Sequence, residues 1–531
     1  MGFKKIIKSK QNILVILIMF LAIIVRIIDW PNGINDVNCD EAMMAINARS
    51  IAETGRDIYG TKLPIYFEAW LNAGQSALPT YLVALFIKMF GFTLFSIRLP
   101  ILLISLISIY IVYLLSKKIF NQEVAIINLF LTAINPWHIM QSQWNLDCNF
   151  FPHIVLIAIC CLYIGTTENK KKYTYISMVF FGLSMYCYGV SVYFVTIFLL
   201  IVGLYLLVNK RIDIKDFFIS MLIYIIISIP IFIMYIINFL NLDTINLFGL
   251  TIQKFNYDTR SNDMLIFSTN ILSQLKMNII SLLEVIILQR DGLIWNAIEG
   301  FGTIYLLSII FIFIAIVRVY KEQNRNLYIL SVWLGISLFI GILINATNIN
   351  RLNIIWYPMI MLTGYGIYAA CQFTNHKKIV KSIIISLYIL YFILFCLAFF
   401  GSFKDKISNS ITFSKGLVAA CKFINNSNNQ EIIISEKANT RGHYVYYRYA
   451  LEYDYTQNVK REELLSYYAG NNKEVSWFNN DKKIYFTENF DKEKKIEETI
   501  YLITYKEKDN VKNIEEYIEN RFGDYIVLVK K

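Results

Sequence analysis

Apolar runs of roughly 17–22 residues recur along the chain as far as residue 400 and then stop, and no other feature limits the fold so strongly. Each run is about the length needed to cross some 30 Å of hydrocarbon. The chain has 531 residues, of which 56% are hydrophobic and 17% charged, and its mean hydropathy is +0.49. An ordinary soluble protein is excluded, and the pattern predicts a polytopic α-helical membrane protein over residues 1–400. Residues 401–531 are polar and mixed in charge, which predicts a separate soluble domain.

A net charge of +11 would raise the question of nucleic acid in a soluble protein. Here the lysines and arginines cluster in short loops: Lys4, Lys5, Lys8 and Lys10; Lys117 and Lys118; Lys170 to Lys172; Lys210, Arg211 and Lys215; Arg318, Lys321 and Arg325; Lys377, Lys378 and Lys381. That is the positive-inside pattern, so the excess charge sets orientation, and the partner it implies is the lipid bilayer rather than nucleic acid. Residues 1–28 read as a basic tail and an uncleaved first span, because Arg26-Ile-Ile-Asp-Trp offers no small-residue cleavage site.

All six clusters stay on the cytoplasmic side if Ala77–Phe90, too short to cross comfortably, lies in the interface. Spans are then expected at about 12–28, 98–116, 123–135, 149–166, two within 173–208 meeting near Gly189, and 217–237. Four more follow at about 301–317, 327–344, 352–373 and 379–400. Eleven crossings put the N-terminus inside and the C-terminal domain outside. The outer loops are 29–97, 136–148, 238–300 and 345–351, and the long 238–300 segment suits a lid.

In the soluble part, helical periodicity at 412–425 precedes strand-like segments at 431–435, 483–487 and 499–504. A short helix at 512–521 and a last strand at 525–529 complete an expected layered α/β domain. The eight cysteines show neither a CxxC pair nor a regular framework, so neither disulfides nor a zinc site is expected.

The expected spans carry almost no ionisable residues, which disfavours an ion-coupled transporter and points to chemistry at the outer rim. Asp40 and Glu41 directly follow the first span. Asn38 reads as a helix N-cap with Glu41 as its capping-box partner, so Asp40 falls in the first turn, where the helix dipole favours a carboxylate. Asp40 is thus either an ordinary N-terminal acid or a general base that removes a proton from an attacking hydroxyl. Glu41 is either a second acid or the cap alone.

Asp147, where the span at 149–166 begins, is a boundary acid or an orienting group facing a substrate. His138 is an interfacial polar group or a substrate contact, while Trp137 and Trp144 suit an aromatic belt. Arg351 at the start of the 352–373 span either snorkels or holds a phosphate through bidentate, charge-assisted hydrogen bonds. Lys254, Arg260 and Arg290 in the 238–300 segment are weaker candidates for the same task.

Several of these residues carry a resemblance. Asp40-Glu41-Ala, Ser50-Ile-Ala-Glu-Thr-Gly55, Pro64, Gly74-Gln-Ser-Ala-Leu-Pro79-Thr-Tyr, Gly91-Phe, Arg98-Leu-Pro100 and Pro136-Trp-His138 before Asp147 together resemble the GT-C class of membrane glycosyltransferases. Within it they look like the protein O-mannosyltransferase and aminoarabinose-transferase group. The resemblance covers residues 12–165 and extends to Arg351–Pro358.

It implies a sugar donor linked to a polyprenyl phosphate and transfer at the outer face with inversion. The family's first-loop base is matched by Asp40 and its second-loop aspartate by Asp147. A phosphate leaving group needs no enzymic acid, so one base and cations for the phosphate suffice. Some relatives carry a charged or histidine residue where this chain has Gly74-Gln75-Ser76, and no metal or cofactor is expected. The acceptor, whether protein, cell-wall polymer or lipid, has no motif here. A lipid-linked-sugar flippase and a non-catalytic envelope assembly protein are the competing expectations.

Overall fold

The computed structural model describes residues 10–531 apart from 35–36, 70–72, 256–263, 323–326, 409, 411–412, 414, 428–430, 436–442, 452–473, 480–481, 488–498 and 512. The chain gathers into two compact units. One comprises Met1–Trp30, Arg98–Phe239 and Asp258–Phe403, and the other Pro31–Ile97, Leu240–Tyr257 and Lys404–Lys531.

The first unit is helical. Among the described residues eight helices of the whole chain are long and apolar enough to cross a membrane: Lys10–Ile27, Leu94–Ile119, Asp147–Thr167, Val190–Val208, Ile214–Phe239, Ile271–Leu288, Asn353–Gln372 and Lys377–Ile407. Gln122–Ala133 and Tyr328–Leu343 are apolar but shorter. The uncharged 173–208 stretch does divide in two, into Lys171–Ser184 and Val190–Val208 with Gly189 at the second helix's start.

The Ile271–Leu288 helix departs from the expected 238–300 loop. Gln274, Lys276, Asn278 and Glu284 interrupt its apolar run, so the sequence reads as polar loop although one face remains apolar. Close packing begins at the first helix, where Ile18 and Ala22 bury against Ile109 and Tyr113 of Leu94–Ile119 and against Ala125, Leu129 and Ala133. Gly366 on Trp356–Gln372 sits so near Ser308–Glu322 that a Cβ there would lie 1.8 Å from the Phe311 carbonyl oxygen. Small residues at such crossings let membrane helices approach through their backbones.

The second unit holds all the strands found among the described residues. Two hairpins come first, β1 (Tyr66–Ala69) with β2 (Ala73–Ser76) and β3 (Ile245–Leu247) with β4 (Leu250–Ile252). The remaining strands are β5 (Glu431–Ser435), β6 (Glu474–Asn479), β7 (Lys482–Thr487), β8 (Thr499–Thr504), β9 (Tyr517–Phe522) and β10 (Tyr525–Lys530). They form one mixed sheet in the order β6-β7-β5-β8-β10-β9, with β5 parallel to β7 and β8 and the other pairs antiparallel.

Alternation along the strands gives the sheet two apolar faces. Ile433, Tyr485, Ile503, Ile526 and Leu528 occupy one. The other, with Ile432, Ile434, Phe486, Leu502 and Val527, packs on Leu417–Asn425, on Tyr444–Tyr447, and on Val37, Ala42, Met43 and Ile46 from the segment after the first apolar helix. Residues just after the first span therefore share a core with the C-terminal sheet.

The helix expected at 512–521 is not formed. A short 3-10 turn, Ile514–Glu516, leads into β9, which pairs with β10 through the two-residue turn Gly523-Asp524. Gly523, at φ 59°, supplies the left-handed backbone that this turn requires.

Candidate active site

In the second unit the acid pair stands at the start of the Cys39–Thr54 helix. Asn38 caps it, its side chain accepting from the Asp40 N–H at 2.9 Å, while the Glu41 carboxylate accepts from the Asn38 N–H at 3.4 Å. The capping box read from the sequence is present. Its two acids differ sharply: residues 41–51 are all buried, Glu41 completely, whereas Asp40 is exposed. A helix enclosed from Glu41 to Ile51 cannot tilt freely, so its first turn presents Asp40 from a fixed base.

The neighbouring hairpin holds this turn as well. Gln75 on β2, itself buried, donates from Nε2 to the Asp40 carbonyl oxygen at 2.9 Å. At this place the chain thus has a neutral clamp on the backbone of the acid. Ala77–Phe90 follows as a helix of 14 residues that ends at Gly91. At 1.5 Å per residue it is about 21 Å long, short of the hydrocarbon thickness.

Farther along, the buried Arg49 donates to the carbonyl oxygens of Leu451 (2.8 Å) and Arg448 (2.9 Å) and stacks on Phe92, with its guanidinium carbon 4.3 Å from the ring centre. The next loop is organised by Asp57, whose Oδ1 accepts from the N–H groups of Tyr59 (2.9 Å) and Thr61 (2.8 Å). Burial pushes the Asp57 carboxyl above its ordinary value, against these two hydrogen bonds.

In the first unit His138 is not an interfacial group. It is 1% exposed, on the Pro136–Gln141 helix that Asn135 caps. Arg26, fully buried at the end of the first span, donates from Nη1 to Ala22 O (3.0 Å) and Ala133 O (2.9 Å), and from Nη2 to Thr132 O (3.2 Å). The same Nη2 lies 2.9 Å from His138 Nδ1.

A guanidinium only donates, so Nδ1 is the acceptor and the network assigns the ring proton to Nε2. Nε2 then donates to the Tyr357 hydroxyl at 3.2 Å, which donates to His153 Nδ1 at 2.6 Å; Ser108 Oγ is 2.9 Å from that nitrogen. Burial first, then the Arg26 charge, holds His138 well below the ordinary histidine range, so it is neutral. Sequence reasoning missed this relay. Its one signal was a lone arginine closing an apolar run.

Asp147 is half-buried in the first turn of Asp147–Thr167, its Oδ1 accepting from the Cys148 N–H at 2.8 Å. The adjacent Asn149 and the buried Trp137 both meet Asn353. Trp137 Nε1 donates to Asn353 Oδ1 at 2.9 Å, and Asn353 Nδ2 donates to the Cys148 carbonyl at 3.1 Å. Trp137 is accordingly a buried strut rather than a belt residue.

Arg351 is half-buried, with its N–H donating to Asn348 Oδ1 at 2.9 Å and its Nη1 bonded to the Asn345 carbonyl. Asn345 is in turn joined to Asn278 of Ile271–Leu288 at 3.2 Å. Arg290 is exposed, next to Gln289, which adopts φ 54°. Asp291 links the two arginine-bearing loops, since its Oδ2 accepts from Asn296 Nδ2 (2.7 Å) and from the Ile349 N–H (2.9 Å). Lys254 is half-buried in the second unit and donates to Asn241 O at 3.4 Å, and Arg260 lies outside the described residues.

Apolar helices in this order, an acid pair on the segment after the first of them and a C-terminal sheet are the build of the GT-C class of membrane glycosyltransferases, and the chain has that fold. More narrowly, residues 75–236 match the family model described as dolichyl-phosphate-mannose-protein mannosyltransferase.

Two solved structures extend the likeness over nearly the whole chain. ArnT from Cupriavidus metallidurans in the apo state is 11% identical with a TM-score of 0.59, covering 98% of each chain. The same protein bound to undecaprenyl phosphate is 12% identical with a TM-score of 0.56, covering 97% of each. The archaeal oligosaccharyltransferase AglB from Archaeoglobus fulgidus, in complex with an inhibitory peptide and a dolichol-phosphate, is 12% identical with a TM-score of 0.53 over 84% of this chain. This chain spans 64% of the length of AglB. At these identities the likeness is one of fold. Comparison with curated proteins gives no match.

Proposed function

We propose that the chain transfers a sugar from a polyprenyl-phosphate-linked donor to an acceptor hydroxyl at the outer face of the membrane, with inversion at the anomeric carbon. The observation that carries this reading is the exposure of Asp40 on the first turn of a helix buried without a break from Glu41 to Ile51. An exposed, rigidly held carboxylate is what a general base for an incoming hydroxyl requires. The undecaprenyl phosphate bound to ArnT and the dolichol-phosphate bound to AglB support the donor class.

In this reading Asp40 takes the hydroxyl proton as the acceptor oxygen attacks the anomeric carbon from the side opposite the phosphate. The bond from that carbon to the phosphate oxygen breaks, and its electron pair leaves with the phosphate. Arg351, Arg290 and Arg260 receive the developing charge, and Asp147 orients a sugar hydroxyl. Glu41 is assigned to the cap rather than to the chemistry, and His138, bonded at both ring nitrogens, to positioning. The N-terminus is cytoplasmic and the C-terminal sheet extracytoplasmic.

Asp40→Asn tests the assignment, because the N-cap bond to the residue 40 N–H does not involve its side chain. Transfer from a polyprenyl-phosphate sugar is expected to fall at least about 100-fold while donor binding stays within about twofold. Transfer at the unmodified rate would remove Asp40 from the mechanism.

A further inference from the structure

The β3–β4 hairpin carries a feature that the reaction does not use. Its register pairs Leu247 with Leu250, leaving Phe248-Gly249 as a two-residue turn with φ 50° and 83°. Turns of this hand favour asparagine or glycine at both places, and a bulky aromatic in the left-handed region is disfavoured. Phe248 nevertheless occupies the tip and is 97% exposed. Folding of the turn gives no reason for that side chain.

Exposed apolar residues lead up to it. Leu240, Leu242 and Ile245 all face outward, and between residues 240 and 253 the sequence holds one acid, Asp243, and no base. The hairpin begins six residues after Phe239, the last residue of a 26-residue apolar helix long enough to cross a membrane. Six extended residues reach at most about 20 Å. A segment tethered this closely to a membrane-crossing helix, apolar and tipped by an aromatic ring, suits the boundary between head groups and acyl chains.

We infer that the β3–β4 hairpin is a lipid-docking finger whose Phe248 inserts into the outer-leaflet interface of the bilayer. The finger is tied to the acid-bearing helix through the intervening loop. Thr251 donates its N–H to Leu63 O (3.3 Å) and its Oγ1 to Lys62 O (2.6 Å), and it accepts from the Ile65 N–H (3.2 Å). That loop donates from the Ile58 N–H to Asn47 Oδ1 at 3.2 Å, on the Cys39–Thr54 helix. The depth of the finger therefore sets the height at which Asp40 meets a membrane-bound donor. This consequence rests on Asp40 as the base, whereas the insertion itself does not.

The full chain in lipid nanodiscs, carrying Phe248→Cys and a nitroxide label, tests the insertion by power-saturation electron paramagnetic resonance. Identically labelled protein without the substitution supplies the background from the eight native cysteines, and Glu515→Cys provides an exposed polar reference. Collision with the nickel chelate is expected to be at least about fivefold weaker at 248 than at 515, with collision with oxygen stronger. Nickel access equal to that at 515 overturns the proposal. So does shielding from both reagents, which would mean that protein rather than lipid covers the tip. Neither result depends on sugar transfer.

Discussion

Replacing Arg26 by methionine isolates what one buried cation contributes to the first unit. Its guanidinium donates to Ala22 O, Ala133 O and Thr132 O and to His138 Nδ1, all within 3.2 Å. Ala133 ends its helix, so its carbonyl has no N–H four residues onward within the helix to bond, and it carries part of the negative end of the dipole. Methionine fills similar volume but leaves Ala133 O and His138 Nδ1 without this donor.

A buried acceptor left unsatisfied costs about 1–3 kcal/mol. Two of them total about 2–6 kcal/mol, from which the avoided desolvation of the cation subtracts. A net loss of about 3 kcal/mol is expected, above the average of about 0.6 kcal/mol for a single interhelical hydrogen bond in a membrane. The measurement is reversible unfolding in mixed micelles. Arg26→Lys, which keeps the charge but lacks the fork, should lose about half as much. A methionine variant within about 0.5 kcal/mol of the parent would refute the reasoning, since such a small change is usual for positions without a structural role.

Gly366→Ala drives a methyl against the Phe311 carbonyl and should destabilise by about 1–3 kcal/mol in the same unfolding measurement. His138, held neutral in the folded chain, makes stability depend on acid: the unfolded imidazole binds a proton below about pH 6.5 and the folded one does not. Stability should be complete above that pH and fall by up to about 1.4 kcal/mol per pH unit below it, a slope that His138→Gln should reduce. For Asp57 the sign is opposite. Its raised carboxyl makes the folded form lose stability as pH rises from 3.8 through the folded value, so Asp57→Asn should be at least as stable at pH 7, and a loss above about 1 kcal/mol would contradict it.

What the sequence disclosed followed from how local each signal is. Asn38 and Glu41 are three residues apart, so the capping box could be read directly, as could the break near Gly189 and the short Ala77–Phe90 helix. The Arg26–His138 contact spans 112 residues. No periodicity announces a contact of that kind, and the arginine looked like an ordinary span boundary. Trp137 was misjudged for the same reason, since its partner Asn353 lies 216 residues away. Ile271–Leu288 was hidden by its own polar face, and β9 by alternating residues that suit a helix until Gly523-Asp524 turns the chain back.

The core shared by Val37–Ile46 and the C-terminal sheet has a consequence for synthesis. The helix that bears Asp40 leaves the ribosome early, but Leu417, Ile432 and Val527, on which its unit closes, are made several hundred residues later. At about 5–20 residues per second the interval is some tens of seconds. Throughout it the acid-bearing segment has no completed core to hold it. A nascent or truncated chain thus contains every residue proposed for chemistry yet lacks the support that fixes the base, and only translation of the last strand removes that deficit.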